Sequence, residues 1–283
     1  MSFDSQNYQL VAKLKNLKSV VQLLKSVNFK ESATCLGSHN GLKVTVEDAK
    51  CMQASAYIPS VVFEEFNLKQ DVIFRINLSV LVECLSMFWG DINTQDSSVA
   101  LQLFYEGTGH PVTVLIEEGG IITDCSLKTQ EPDELLDFNL SQDSVINKVL
   151  LKTELLRDVL SELDPTCDVL ELLLSPDPPY LRISTDGAAG ECQIQVPRDS
   201  TLIEIFECNA TASSCYKLAH VKPAMKPLSC ATMVSIRTDE CGLLCFQYMV
   251  KTEDGHTCYV EYYVNYISFN IWPTTKFLFL YAR

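Results

Sequence analysis

Cationic and amide side chains recur on one face of a predicted helix near the start of the chain. The four residues of this lysine stripe have the spacing i, i+3, i+7 and i+10, and they are Lys15, Lys18, Gln22 and Lys25. Ammonium groups arranged in this way bind phosphates without reading a base sequence. A row of lysines is also typical of an ordinary solvated helix face, and the spacing alone does not separate the two interpretations.

A weaker set of cations is found in the second half of the chain. Lys152 and Arg157 lie among acidic residues of a predicted helix, and Lys222 and Lys226 follow at i and i+4. By contrast, the first thirty residues contain five lysines and one acid, although the whole chain has a net charge of −14 at pH 7. This charge excludes a uniformly basic nucleic-acid-binding surface and still allows a local one.

Residue types that catalyse reactions are present, but their spacing indicates no site. The four histidines form no H-E-x-x-H motif, and the chain has no phosphate-binding G-x-x-x-x-G-K-[ST] loop. Cys241 and Cys245 have the separation of a metal-binding pair but lack a second pair. The D-x-E motif typical of carboxylate exonucleases does not occur. We therefore predict no catalytic residue, no metal and no other cofactor.

The composition is typical of a folded globular chain of one or two domains. Hydrophobic residues make up 47% of its 283 positions and charged residues 20%. The longest apolar runs, such as residues 277–282, are far shorter than the roughly 20 residues of a membrane-spanning helix. Residues 1–8 lack the features of a secretory signal. We therefore expect a cytosolic or nuclear protein whose 12 cysteines are reduced.

Hydrophobic periodicity predicts the elements that position the stripe. A strand over residues 8–14 precedes a helix over 16–27, and Asn77 is a candidate N-cap for a second helix that runs to residue 88. Turn residues divide the segment 99–127 into an antiparallel meander of three strands.

The same order of elements begins again after an acidic segment. Residues 129–143 contain five acids, no base and one proline, which is typical of an extended, solvated connector. A strand over 145–151, a helix over 155–163, a weaker helix over 220–228 and a closing meander over 232–264 follow. The repeat of about 135–140 residues indicates a duplicated unit.

The duplication predicts an α+β fold of two similar units, each with an antiparallel sheet and two helices, joined by a connector loop. The predicted parts are a first unit over 1–128, the connector over 129–143, a second unit over 144–264 and a tail over 265–283. Edge strands of such sheets need partners, so we expect oligomerisation.

Several segments resemble one known family. They are residues 41–58 (GLKVTVEDAKCMQASAYI), 129–132 (TQEP), 234–239 (VSIRTD), 248–250 (YMV) and 260–263 (VEYY). Over about residues 8–264 the chain resembles the Rad-one subunits of the nine-one-one checkpoint clamp, which are relatives of PCNA. The resemblance implies the DNA-clamp fold.

The resemblance also implies a function and a set of partners. It implies a non-catalytic subunit that joins two other clamp subunits in a heterotrimeric ring around double-stranded DNA, without sequence preference. A clamp loader places such a ring at damage sites, where it is a platform for repair enzymes and for checkpoint proteins that signal to the kinase ATR. The lysine stripe would then line the ring, together with the cations of the second half. The expected location is the nucleus, with no membrane contact.

The family further implies a pocket for partner peptides, between the connector and the C-terminal strands. Its candidate lining residues are Tyr57, Leu135, Leu136, Phe138, Met249 and Tyr259. The structural alternative is that these side chains belong to the core or to linker packing.

By the same resemblance, two edge strands pair with the neighbouring subunits. Their candidate residues are Val112, Val114 and Ile116 in the first unit, and Cys192, Ile194 and Val196 in the second.

Two alternative functions remain open, and one segment departs from the family. Some members have been credited with 3′–5′ exodeoxyribonuclease activity, and a protein-interaction scaffold without DNA contact would share the fold. The tail over 265–283 contains no acid and many aromatic residues, whereas such subunits usually end in a short polar or acidic tail. We expect this tail to pack poorly.

Overall fold

Apolar and polar residues alternate along most strands, and the strands follow each other in two sets with the same order of elements. The computed structural model describes residues 7–86, 99–136, 138, 140–188 and 190–267. The first set comprises β1 (Leu10–Leu14), α1 (Lys18–Val27), β2 (Ser32–Ser38), β3 (Gly41–Asp48), β4 (Met52–Pro59), β5 (Glu65–Leu68), β6 (Val72–Asn77), α2 (Leu78–Ser86), β7 (Ala100–Tyr105), β8 (Val112–Glu118) and β9 (Ile121–Leu127). The second set comprises β10 (Val145–Lys152), α3 (Thr153–Ser161), β11 (Val169–Leu174), β12 (Leu181–Gly187), β13 (Gly190–Val196), β14 (Ile203–Cys208), β15 (Ala212–Lys217), α4 (Leu218–Val221), β16 (Met233–Asp239), β17 (Leu244–Lys251) and β18 (Thr257–Val264). This order confirms the predicted α+β duplication.

Short 3-10 turns complete the described elements, at Ser60–Val62, Gln142–Ser144 and Lys222–Ser229. The last of these follows α4, within the segment predicted as a weak helix. Pro223 and Pro227 lack the amide N–H that an α-helix requires, so the α-helical part ends at Val221.

The strands form three sheets in which neighbours run antiparallel. One has the order β5-β1-β7-β8-β9, and another has the order β13-β12-β11-β15. The third has nine strands, in the order β14-β10-β16-β17-β18-β4-β3-β2-β6, and combines strands of both halves. The halves meet where β18 pairs with β4, from Tyr259 opposite Tyr57 to Val264 opposite Met52. The nine-stranded sheet runs through both predicted units and therefore marks no boundary between them. The boundaries of the units stay a prediction.

Helices cover one face of the nine-stranded sheet. α1 packs on β3, β4 and β18, α2 on β2 and β6, and α3 on β10. Val44, Ala56, Val260 and Val234 are buried beneath this layer. The opposite face, called the outer face below, carries the alternate residues of the same strands. Each strand therefore has one side in the core and one side on the outer face, where Cys245 and Tyr263 are also buried, in a small cluster with Leu140.

The starts of α1 and α2 follow from local hydrogen bonds. The side-chain oxygen of Asn16 accepts a hydrogen bond from the Lys18 N–H (2.9 Å). The side chain of Asn77 accepts one from the Val80 N–H (3.0 Å), as expected of the predicted N-cap. The predicted end of the second helix, at residue 88, lies outside the described residues.

The assignment of Val112, Val114 and Ile116 to an edge strand is wrong. They belong to β8, which pairs with β7 on one side and β9 on the other, and at most 1% of each is exposed. The edge strand is β9, because the meander runs one strand further than the predicted edge. In the second half, β13 with Cys192, Ile194 and Val196 is the outermost strand of its sheet. Its contact with a neighbouring subunit stays a prediction.

The structure contains strands that hydrophobic periodicity did not predict. β14 and β15 are the clearest cases, and β15 includes Ser213 and Ser214 instead of β-branched residues. It forms because β11 supplies a continuous hydrogen-bond ladder along it. None of the helices in the described residues is long and apolar enough to cross a membrane.

The tail is described only at its start. Asn265 donates its backbone N–H to the Cys51 carbonyl (2.9 Å), and Ile267 donates to the Cys215 carbonyl (2.8 Å). The prediction of poor packing concerns residues that lie, from 268 onwards, outside the described part.

One buried hydrogen bond joins α1 to the second half and makes a testable prediction. The Tyr262 hydroxyl on β18 donates to the Ser26 carbonyl of α1 (2.6 Å), and the Tyr262 side chain is fully buried. Tyr262→Phe leaves this carbonyl without a donor, so we expect the free energy of unfolding to fall by about 1–3 kcal/mol in a urea titration. Tyr259→Phe, on the exposed side of the same strand, is the control, and equal losses in the two variants would contradict the prediction.

Candidate nucleic-acid interface and partner surface

The lysine stripe is shorter in the structure than the spacing predicted. α1 begins at Lys18, so Lys15 lies in the turn before the helix and only Lys18, Gln22 and Lys25 share its open face. The Lys15 ammonium lies 2.9 Å from a carboxylate oxygen of Glu64. Val20, Val21, Leu24 and Val27 are among the residues on the buried face of α1.

Lys18 forms an ion pair with the second half of the chain. Its ammonium lies 2.9 Å from one carboxylate oxygen of Glu253, in the turn between β17 and β18, and the Asn16 amide donates to the other oxygen. The hydrogen bond from Lys18 holds the pKa of Glu253 below its ordinary value, and the one from Asn16 acts in the same direction. The N-terminal end of α1 is therefore next to an acid from the other half.

At the C-terminal end of α1, the residue contributed by the second half is a cation. The Lys226 ammonium donates a hydrogen bond to the carbonyl of Asn28, the residue that ends the helix. Partial burial lowers the pKa of Lys226. A cation at a helix C-terminus and an anion at its N-terminus both complement the helix dipole. Glu253 and Lys226 therefore hold α1 against the second half by charges of opposite sign.

The other cations predicted to face DNA also bind backbone groups or lie at helix ends. Arg157 donates to the Leu228 carbonyl, and Lys222 donates to the Pro165 carbonyl (2.8 Å). Lys152 is half-buried at the N-cap of α3. The 3-10 segment Lys222–Ser229 packs against both α1 and α3, so these cations belong to one helical layer.

Two residues of this layer were not among the predicted site residues. Lys217 is exposed immediately before α4, and His220 lies within that helix, where desolvation lowers its pKa. His220 was the first residue of the predicted weak helix but was assigned no role. Lys217 was missed because β15, which ends at that residue, was not predicted.

A largely apolar row of side chains crosses the outer face of the nine-stranded sheet and includes half of the predicted pocket residues. Tyr259 on β18 lies directly opposite Tyr57 on β4 and Met249 on β17. The Lys43 ammonium lies 5.1 Å from the centre of the Tyr57 ring. The row continues through Lys43 to Leu36 on β2 and Ile73 on β6, both partly exposed. We call these six residues the outer row.

The connector crosses the same face of the sheet, at the end of β3 and β4 that lies away from the outer row. It starts beside β6, where Gln130 exchanges two backbone hydrogen bonds with Arg75, and Arg75 forms an ion pair with Asp133. Further along, the Leu136 N–H donates to Glu47 (2.9 Å), and Gln53 donates to the Leu136 carbonyl (2.9 Å). The connector is thus anchored to the sheet, while its acids Glu131, Asp133 and Glu134 are exposed, as expected of a solvated segment.

The predicted pocket residues therefore fall into two groups. Phe138 stacks on Tyr263 with ring centres 6.2 Å apart, in a small apolar cluster with the buried Leu140. Leu135 and Leu136 are half-buried in the connector, about 13 Å from the outer row by strand rise. Glu261 lies between the groups and accepts a hydrogen bond from Tyr57 (3.0 Å). Phe138 anchors the connector, as the packing alternative stated.

Among the described residues, the thiols and acids show no arrangement typical of a catalytic or metal site. All twelve cysteines lie in the described residues and are free. Burial raises the pKa of Cys245 to about 12 and that of Cys258 to about 11. Such thiols are poor nucleophiles. Within the described part of the chain, no three His, Cys, Asp or Glu side chains converge as a metal-binding group.

Comparisons with known proteins agree on a family. Residues 9–250 match the family model described as Repair protein Rad1/Rec1/Rad17. The Cell cycle checkpoint protein RAD1 of Mus musculus is 48% identical over 91% of this chain and 92% of its own length. Its Homo sapiens counterpart is 47% identical over 92% of each chain.

More distant matches concern the fold and one alternative function. The crystal structure of a PCNA2-PCNA3 complex from Sulfolobus tokodaii matches with a TM-score of 0.72 and 18% identity, over 90% of this chain and 98% of the other. A DNA repair exonuclease REC1 of Mycosarcoma maydis is 23% identical over 53% of this chain and 39% of its own length. The first match shows a PCNA-like fold.

Proposed function

We propose, because this chain belongs to the Rad1/Rec1/Rad17 family of repair proteins, that it is a non-catalytic subunit of a PCNA-like checkpoint clamp. In this proposal it joins two other clamp subunits in a heterotrimeric ring around double-stranded DNA at damage sites. A clamp loader places the ring on DNA. In the nucleus the ring is a platform for repair enzymes and for checkpoint proteins that signal to the kinase ATR.

The observation that carries the proposal is that two sheets each end in an edge strand, β9 and β13, with one side unpaired among the described strands. The ninth strand of the second half, β18, pairs with the fourth strand of the first half, β4. The equivalent strands are β9 and β13, which have only β8 and β12 as partners among the described strands. A β9 edge that pairs with the β13-type edge of a neighbouring subunit would repeat the internal joint. Repetition of that joint around an axis closes a ring.

Ring assembly is the first prediction. Light scattering of this chain mixed with its two proposed partner subunits should give the mass of a one-to-one-to-one complex. Ile121 and Ile122, at the start of β9, are 69% and 65% exposed. Changing both to Glu places two charges in the proposed joint, so we expect assembly to weaken at least about tenfold. Val61→Glu changes an equally exposed residue away from β9 and β13, and an equal loss there would contradict the assignment.

Contact with DNA is supported by the helical layer. Lys18, Gln22 and Lys25 form the open face of α1, on the helix-covered side of the sheet, while acids such as Asp133 and Glu261 lie on the outer side. The ammonium groups suit sequence-independent binding of phosphates. DNA that threads the ring would meet this layer.

A charge reversal tests the DNA contact. The double variant Lys18→Glu and Lys25→Glu should lower the retention of duplex DNA by the assembled ring and reduce the salt dependence of binding, with a slope smaller by about 1.8. Lys43→Glu with Lys251→Glu makes the same charge change on the outer face and is the control. Unchanged retention at low salt, in a ring that still assembles, would favour the scaffold without DNA contact.

The outer row supports the proposal of a surface for partner peptides. Five of its six side chains are apolar, and all six are in register and partly exposed, which is typical of an interaction surface. Since Phe138 packs against Tyr263, we assign the main peptide contact to Tyr57, Met249 and Tyr259. Leu135 and Leu136 at the connector form the second part.

A matched pair of double variants tests this assignment. Met249→Ala with Tyr259→Ala should weaken binding of peptides from the clamp loader and checkpoint proteins about tenfold or more, as measured by fluorescence polarisation. Leu135→Ala with Leu136→Ala removes a similar apolar area at the connector and should have a smaller effect. The reverse order of the two effects would move the peptide site to the connector.

A second candidate function, 3′–5′ exodeoxyribonuclease, is favoured by the printed name of the REC1 relative. That match covers about half of this chain, and the described residues contain no group of three metal-binding side chains. The DNA retention assay with Mg²⁺ distinguishes the two functions. Shortening of 3′ ends that is lost on substitution of one carboxylate would replace the clamp proposal by this one.

A further inference from the structure

Lys18 forms an ion pair with Glu253 and also lies on the face of α1 that is proposed to bind DNA. The 2.9 Å contact joins the open face of α1 to the turn between β17 and β18, and the side chains are 43% and 50% exposed. Water and solutes therefore reach both partners. Glu253 also borders a cavity of about 310 Å³ that is lined by Lys15, Asn16 and Glu64. An exposed ion pair of this kind contributes little net stability. Replacing Glu253 by another anionic partner of Lys18 therefore costs little free energy.

Asn16 prepares this ion pair for exchange. Its amide nitrogen donates to the second oxygen of Glu253, and its amide oxygen accepts from the Lys18 backbone N–H. The carboxylate therefore keeps one donor when the Lys18 ammonium leaves. A phosphate oxygen has the charge and hydrogen-bonding capacity of the carboxylate oxygen that it would replace.

We propose that Glu253 is an internal counter-charge that holds Lys18 while the ring is empty and gives it up to a DNA phosphate when the ring is loaded. The proposal rests on the function proposed above, in which α1 faces DNA. The exchange lowers the gain from the contact between Lys18 and a phosphate, because a protein ion pair is lost as the DNA contact forms. Glu253 is thus a positioning residue that weakens the grip on DNA, as a sliding ring requires.

The test compares two neighbouring acids. Glu253→Gln removes the counter-charge, and Asp254→Asn removes the same charge one residue further on. The Asp254 carboxylate is exposed and makes no hydrogen bond or ion pair within the described part of the chain. Each variant is bound to a duplex DNA column as the chain alone and as the assembled ring, and is eluted with a salt gradient. Circular dichroism confirms that both remain folded.

Glu253→Gln should bind duplex DNA about two- to fivefold more tightly than Asp254→Asn. Its salt dependence should change little, because Lys18 neutralises one phosphate in either variant. The gain should disappear in a Lys18→Gln background, because the counter-charge then has no lysine to hold. Equal binding by the two variants, or a gain that persists without Lys18, overturns the proposal.

The outcomes separate this inference from the proposed function. If the chain forms no ring but Glu253→Gln raises its DNA affinity, the counter-charge proposal is supported and the clamp proposal is refuted. A ring that forms and retains DNA equally with either variant supports the clamp and refutes the counter-charge. No gain in either form of the protein also refutes the counter-charge.

Discussion

The backbone ladder between β18 and β4 is the interaction on which the rest of the structure depends. It turns the strands of two similar halves into one nine-stranded sheet and so fixes the position of each half. Because the helices pack on one face of that sheet, they form one layer across the junction, and the outer face is left to the connector and the outer row. The two surfaces with proposed functions are therefore opposite sides of the same sheet.

Electrostatic contacts add to this joint at both ends of α1. Glu253 at the N-terminal end and Lys226 at the C-terminal end come from the second half and match the polarity of the helix dipole. Two lysines predicted to contact DNA, Lys18 and Lys226, thus already contribute to contact between the halves. In the proposed complex, a DNA phosphate that binds Lys18 or Lys226 would compete with the internal acceptor of that lysine.

The repeat, the helices and the meanders were predictable because they depend on local periodicity. The apolar face of α1, the N-cap at Asn77 and the turns of the first meander each depend only on neighbouring residues. β14 and β15 were not predictable in the same way, because β15 obtains its ladder from β11, about 40 residues earlier in the chain. The site was predicted less well than the fold. Lys15 was assigned to a helix that starts three residues later.

By itself, the sequence determined that the chain is an α+β duplication with a basic first helix and an acidic connector, since periodicity and charge are properties of neighbouring residues. Only the tertiary structure decided that β9 instead of β8 is the edge, that Phe138 anchors the connector, and that Lys18 faces Glu253. The reason is that Lys18 and Glu253 are 235 residues apart in the chain. Their contact exists only once β18 has paired with β4, and no local pattern records it.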